Sequence, residues 1–219
     1  MQSVAIFVKY EYNIIKEKKY KGDIMKTKNI FAILIICAIF FLLGVLCSNC
    51  INKDNYSKNF AEYSEYQNIK IHVDDDYNQD NLTLYLENLT TISQKLTRNC
   101  ENIYFTNENL NEKFELDIST KIVAISYGKD IYVNTNYYSD DVLIHEMFHV
   151  YDYCNDWISS TNSFKKLYDD YKDVITVSPG NNENSHEFFA AYGEQFTLNK
   201  NNLEKNSLYD FFSNLDVQP

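Results

Sequence analysis

Three residues in one five-residue stretch carry the chemistry this sequence offers: His145, Glu146 and His149, in HEMFH. On an α-helix, residues four apart lie one above the other on the same face, so both imidazoles aim at one point. Two imidazoles placed this way form a clamp for a divalent metal. Glu146 lies one residue past the first His, about 100° further round the helix. From there a carboxylate reaches a water at the metal without ligating the metal, which is where zinc hydrolases put a general base. The chain has five Cys with one CxxC, Cys47 to Cys50, at the end of an apolar run and without a second such pair, so a cysteine zinc site and a Cys nucleophile are both set aside.

A catalytic zinc takes three protein ligands and keeps one position open. The class that places a third His six residues on, behind a Gly, is excluded, because those places hold Asn155 and Asp152. The remaining candidate is Glu187, in NSHEFFAAYGEQF. Asn184 or Ser185 caps a helix there, with Glu187 in its first turn and Phe188, Ala191 and Phe196 toward the core. A first-turn Glu also serves as an ordinary capping or dipole residue; HEMFH is what makes this one a ligand candidate. Asp152, three residues past His149, is expected either to orient a ligand through a hydrogen bond or to be a plain helix-end carboxylate.

HEMFHVYDY followed by HEFFAAYGEQF resembles the catalytic domain of the anthrax lethal factor family, which includes the small secreted Pro-Pro endopeptidases of clostridia. The resemblance covers residues 139–219, and more weakly the segment before. It implies one zinc ion held by His145, His149 and Glu187, with Glu146 activating water, in an α+β zincin domain of the gluzincin-like kind. Such a domain has a small N-terminal sheet, an HEXXH active-site helix and a helical C-terminal half. Three positions depart from the family pattern: Phe148 stands where a small residue is usual, Ala191 where a second acid is usual, and Ser178-Pro179-Gly180 where an oxyanion-stabilising Tyr is usual. Tyr171, Tyr192 and His186 are the polar residues with a chance of approaching the site instead.

The elements that must position these residues are legible in outline. The metal-clamp helix is expected to start at Ser139 as N-cap, with Asp140 and Asp141 at the positive end of its dipole, and to end at Asn155-Asp156. Residues 68–73 and 102–106 read as strands, and 80–96 as a helix through Leu82, Leu86, Leu89, Ile92 and Leu96. Residues 121–127 and 130–135 form a hairpin about Gly128-Lys129. Its second arm, Ile131 to Asn136, is the candidate edge strand for pairing with an extended peptide, or else an ordinary core strand. Asp74-Asp75-Asp76 lacks calcium-loop spacing and reads as a solvated turn. Trp157 and Ile158 are expected to pack the turn after the clamp helix. Beyond them come an amphipathic helix over 163–174, a Pro-Gly loop over 175–185 placed to act as a lid, and a docked helix over 207–215.

Residues 30–47 are an uncharged apolar run preceded by Lys26 and Lys28, a signal peptide or membrane anchor that sends the rest of the chain out of the cytoplasm. The expected organisation is a cytoplasmic tail or mis-started segment over 1–24, with translation beginning at Met25, then the export segment over 25–50, a polar tether over 51–67 and a metallopeptidase domain over 68–219. Neither Cys47 nor Cys50 has a good lipobox before it. Cys50, Cys100 and Cys154, outside the apolar run, are expected to form at most one disulfide, Cys100 with Cys154, or all to stay free. Residues 51–219 hold 13 of the 20 Lys+Arg and 28 of the 31 Asp+Glu, a field that repels nucleic acid and anionic membrane surfaces. The expectation is an exported, monomeric zinc endopeptidase that touches the membrane only through its N-terminal segment and acts on peptide or protein substrates, with proline-rich surface proteins as one target class. The competing expectations are a catalytically weak or inactive surface binding protein on the same scaffold, and a toxin-like protease acting on host proteins.

Overall fold

The computed structural model describes residues 56, 57, 59–117, 119–175 and 184–217. The expected export segment, the Met25 start, the first part of the tether and most of the Pro-Gly loop lie outside the described residues. Among those described, no helix is long and apolar enough to cross a membrane. The chain from Tyr56 onward forms one compact α+β unit.

Five strands make one mixed sheet: β1 (Ala61–Tyr66), β2 (Ile69–Val73), β3 (Asn102–Thr106), β4 (Ala124–Tyr127) and β5 (Asp130–Asn134), in the order β1-β2-β3-β5-β4. The two outer pairs are antiparallel and the two inner ones parallel. Strand side chains alternate between faces, and here the two faces differ in kind. Ile71, Ile103 and Ile131 stand in register on one face, with Val73, Phe105 and Val133 in the next row, all in the main core. On the other face His72, Tyr104 and Tyr132 stand in one row, their rings stacked at 4.6 and 4.7 Å. Phe60, Leu110 and Phe114 cover that row.

Seven α-helices occur among the described residues: α1 (Gln79–Leu89), α2 (Gln94–Thr97), α3 (Leu110–Lys113), α4 (Val142–Cys154), α5 (Asn162–Tyr171), α6 (Ser185–Asn199) and α7 (Ser207–Ser213). The two that matter for chemistry are α4, which carries HEMFH, and α6, which carries Glu187. Their packing is unusually close at one point. Phe148 of α4 is fully buried, and a Cβ placed on Gly193 of α6 would come within 2.6 Å of its ring. The glycine is what lets a phenylalanine sit between two helices whose side chains must meet.

Several expectations need correcting. The expected tether contains β1, a polar strand whose Glu62 and Glu65 remain exposed; an edge strand needs no apolar alternation to pair with a neighbour. The expected helix over 80–96 breaks after Leu89, where Thr90 and Thr91 turn their hydroxyls back onto the carbonyls of Glu87 and Asn88 and Ser93 caps the short α2. At the start of α4 the cap position is Asp141 rather than Ser139, whose hydroxyl instead donates to the Asp141 carboxylate. Of the two states left open for them, Cys100 and Cys154 take the free one. The hairpin forms about Gly128-Lys129, with Gly128 at φ 66 and Lys129 at negative φ, the pattern of a type II′ turn. Its second arm, β5, is buried between β3 and β4 and cannot pair with a peptide; the edge strand is β4.

Candidate metal centre

Residues four apart on α4 bring His145 and His149 together as the sequence implies: their Nε2 atoms are 3.2 Å apart. Glu187 reaches them from α6. Asn184 caps that helix, its side chain accepting from the backbone N–H groups of His186 and Glu187, and this fixes where the first turn begins. Glu187 Oε2 lies 3.4 Å from His145 Nε2 and 3.5 Å from His149 Nε2. Among the described residues these three form the group of His, Cys, Asp and Glu side chains able to hold a metal.

The spacing tests the fit. A tetrahedral zinc bound at about 2.0–2.1 Å separates any two of its ligand atoms by roughly 3.3–3.4 Å. The three observed edges bracket that value, so the donors already stand at three corners of such a tetrahedron. The three donors line a cleft of about 1020 Å³ bordered by α4, the start of α6 and strand β4.

Glu194 completes the arrangement, although motif spacing does not single it out. Its Oε2 lies 3.2 Å from His145 Nδ1. With a metal bound, that contact would hold the ring proton on Nδ1 and leave the Nε2 lone pair to the metal, as carboxylates do behind metal-bound histidines. Ala191, one turn after Glu187, carries no acid; Glu194, two turns after it on the same helix face, supplies one. The signal in the sequence is a lone carboxylate in an apolar stretch at i+7 from the proposed ligand.

Asp152 does not touch either ligand imidazole. It is fully buried, and its carboxylate accepts from the Ser159 N–H at 2.8 Å, from the Ser159 hydroxyl, and lies 3.2 Å from His186 Nδ1. It thereby ties the end of α4 to the residue just before Glu187. Glu146 is 6% exposed and lines the cleft together with the His pair and the β4 residues Ala124, Ile125 and Ser126. Tyr171 and Tyr192 do not approach the site: the Tyr171 hydroxyl is bonded to Ser207, and Tyr192 is buried against Phe188 and Phe212. The aromatic side chains that do line the cleft are Tyr153 and Trp157. Trp157 is 45% exposed rather than packed into the turn.

The electrostatics follow from these contacts. Burial disfavours the His145 imidazolium, but hydrogen bonds to Glu187 and Glu194 outweigh it and push the group up to about 10. Hydrogen bonds from His145, and then from His149, hold the Glu187 carboxyl well below the usual range. Without a metal, the His145 imidazolium is flanked by two carboxylates, Glu187 at Nε2 and Glu194 at Nδ1. Compared with protein-family models and with curated proteins, the chain matches none.

Proposed function

We propose that the chain is a zinc-dependent endopeptidase, exported through its N-terminal apolar run, on a zincin-like α+β scaffold similar to that of the lethal factor family and its small Pro-Pro endopeptidases. The observation that carries this reading is the tetrahedral spacing of His145, His149 and Glu187 beside Glu146, in a cleft bordered by an open strand edge. Two imidazoles and a carboxylate are the donor set of zinc hydrolases with one open position. A zinc ion held there polarises a carbonyl oxygen and acidifies a water.

The chain's own groups do the rest. An extended peptide pairs its backbone with β4, which lays its carbonyls over α4. Glu146, shielded from bulk solvent, accepts the proton of the attacking water and delivers it to the leaving amine. Glu194 keeps His145 in the tautomer that presents Nε2, and Asp152 holds the start of α6 against the end of α4 so that Glu187 stays in reach. Substrates are peptides or proteins, proline-rich surface proteins being the class the family resemblance implies.

The test uses the full chain loaded with zinc, a proline-rich peptide library, and product analysis by mass spectrometry. Glu146→Ala is expected to keep one zinc per chain and to lose cleavage by at least about a hundredfold. Equal cleavage by both proteins, or none by the wild type with zinc bound, overturns the peptidase reading.

A further inference from the structure

Two consecutive residues after α4, Asp156 and Trp157, hold left-handed backbone conformations, Trp157 at φ 58 and ψ 63. A bulky residue with a Cβ is disfavoured there, and glycine would meet the same turn without strain. The indole is not retained to fill the core, since it is 45% exposed. It stands in the wall of the metal cleft, edge-on to Tyr153 at 5.5 Å and to His186 at 5.3 Å. Tyr153 is itself 43% exposed and lies 3.8 Å from the Cβ position of Gly128, at the hairpin turn where β4 ends.

The strained turn is pinned from beneath. The Trp157 N–H donates to the Asp152 carbonyl at 2.9 Å, and the Ser159 N–H donates to the Asp152 carboxylate at 2.8 Å. The same buried carboxylate holds His186, against which the indole rests. Strain of this kind persists where the surroundings over-determine it, and it gathers at functional positions. What the protein keeps by it is a flat apolar surface, fixed in advance, at the β4 end of the cleft. An aromatic platform that is already rigid costs little ordering on binding.

We propose that Trp157, with Tyr153 beside it, is the specificity determinant of the cleft and receives an apolar side chain of a peptide extended along β4. This rests on the peptidase reading of the metal centre. The indole offers contact area and no charge, so it selects leucine- or phenylalanine-like side chains over alanine at one position of the peptide.

The experiment separates the two readings by measuring binding without turnover. The full chain, with metal removed by chelator, is titrated by calorimetry with blocked alanine-based peptides carrying a single Leu or Phe at successive positions, and with the all-alanine parent. Trp157 is the chain's one tryptophan, so its emission reports contact directly. One position is expected to gain on the order of tenfold in affinity from burial of the apolar side chain, with a shift in Trp157 emission. Trp157→Gly, which relieves the backbone and keeps the turn, is expected to abolish that gain, so that the Leu or Phe peptide binds no more tightly than the all-alanine parent; Trp157→Phe retains part of it. Unchanged discrimination in Trp157→Gly, an emission that does not move at saturation, or no binding by any peptide overturns the proposal. A chain that shows the expected pattern, binds zinc and cuts neither these peptides nor any member of the proline-rich library overturns the peptidase reading alone.

Discussion

At His145 a proton and a metal compete for one nitrogen. Burial works against the imidazolium, but Glu187 and Glu194 push the group up to about 10 in the absence of metal, so near neutral pH a metal must displace a proton to reach Nε2. Zinc affinity is therefore expected to rise about tenfold per pH unit through the neutral range, as for competition with a single proton. Calorimetry in buffers of different ionisation enthalpy should read one proton released per zinc bound; zero release would contradict the assigned protonation. The chelated chain follows the opposite trend. A pKa raised by folding gives stability that is complete below the ordinary value of 6.5 and is lost as pH rises through about 10. Raising the pH should thus weaken the metal-free fold while it strengthens metal binding, and Glu187, with Glu194 behind it, underlies both effects.

At the level of elements, the geometry of the centre is the geometry of α4 against α6. Phe148 and Gly193 set how closely these helices approach, since a Cβ on Gly193 would lie 2.6 Å from the Phe148 ring. Replacing a mid-helix glycine by alanine ordinarily stabilises by about 0.5–1 kcal/mol. Here the clash must be relieved by moving a ring that is fully buried, and overpacking of that kind costs about 1–3 kcal/mol. The second effect is the larger, so Gly193→Ala is expected to be destabilising by denaturant melt and to weaken zinc binding as Glu187 is pushed from the His pair. Phe148→Leu in the same chain should recover part of both losses. A Gly193→Ala protein as stable as the wild type would show that the two helices can slide apart freely.

For the molecule as a whole, the three donors join two helices far apart in sequence, so a bound ion acts as a cross-link that only the folded chain offers. At a thousandfold excess over its dissociation constant, zinc should stabilise by about 4 kcal/mol, which for a domain of this size means a rise of roughly 8–16 °C in Tm. His149→Ala should melt at one temperature with zinc or chelator; a shift that survives it places the ion elsewhere. The donors were legible in the sequence because helical spacing and capping are local: HEMFH states its own geometry, and Asn184 states where Glu187 must fall. Contacts that depend on how the helices and strands pack were not. Glu194 becomes meaningful only when α6 is laid on α4, β1 reads as tether because an edge strand can be polar, and the order β5-β4 reverses which hairpin arm is open.

That strand order also decides how the sheet meets other chains. One margin of the sheet, β1, is bent by a register shift between Glu62 and Ser64 and bristles with carboxylates, so a foreign strand finds poor purchase there. The opposite margin, β4, borders Glu146. In many proteins an unguarded margin is where fibres begin; in this one, a strand that lengthened the sheet would arrive beside the groups proposed to cut it, and the hazard would become an intake.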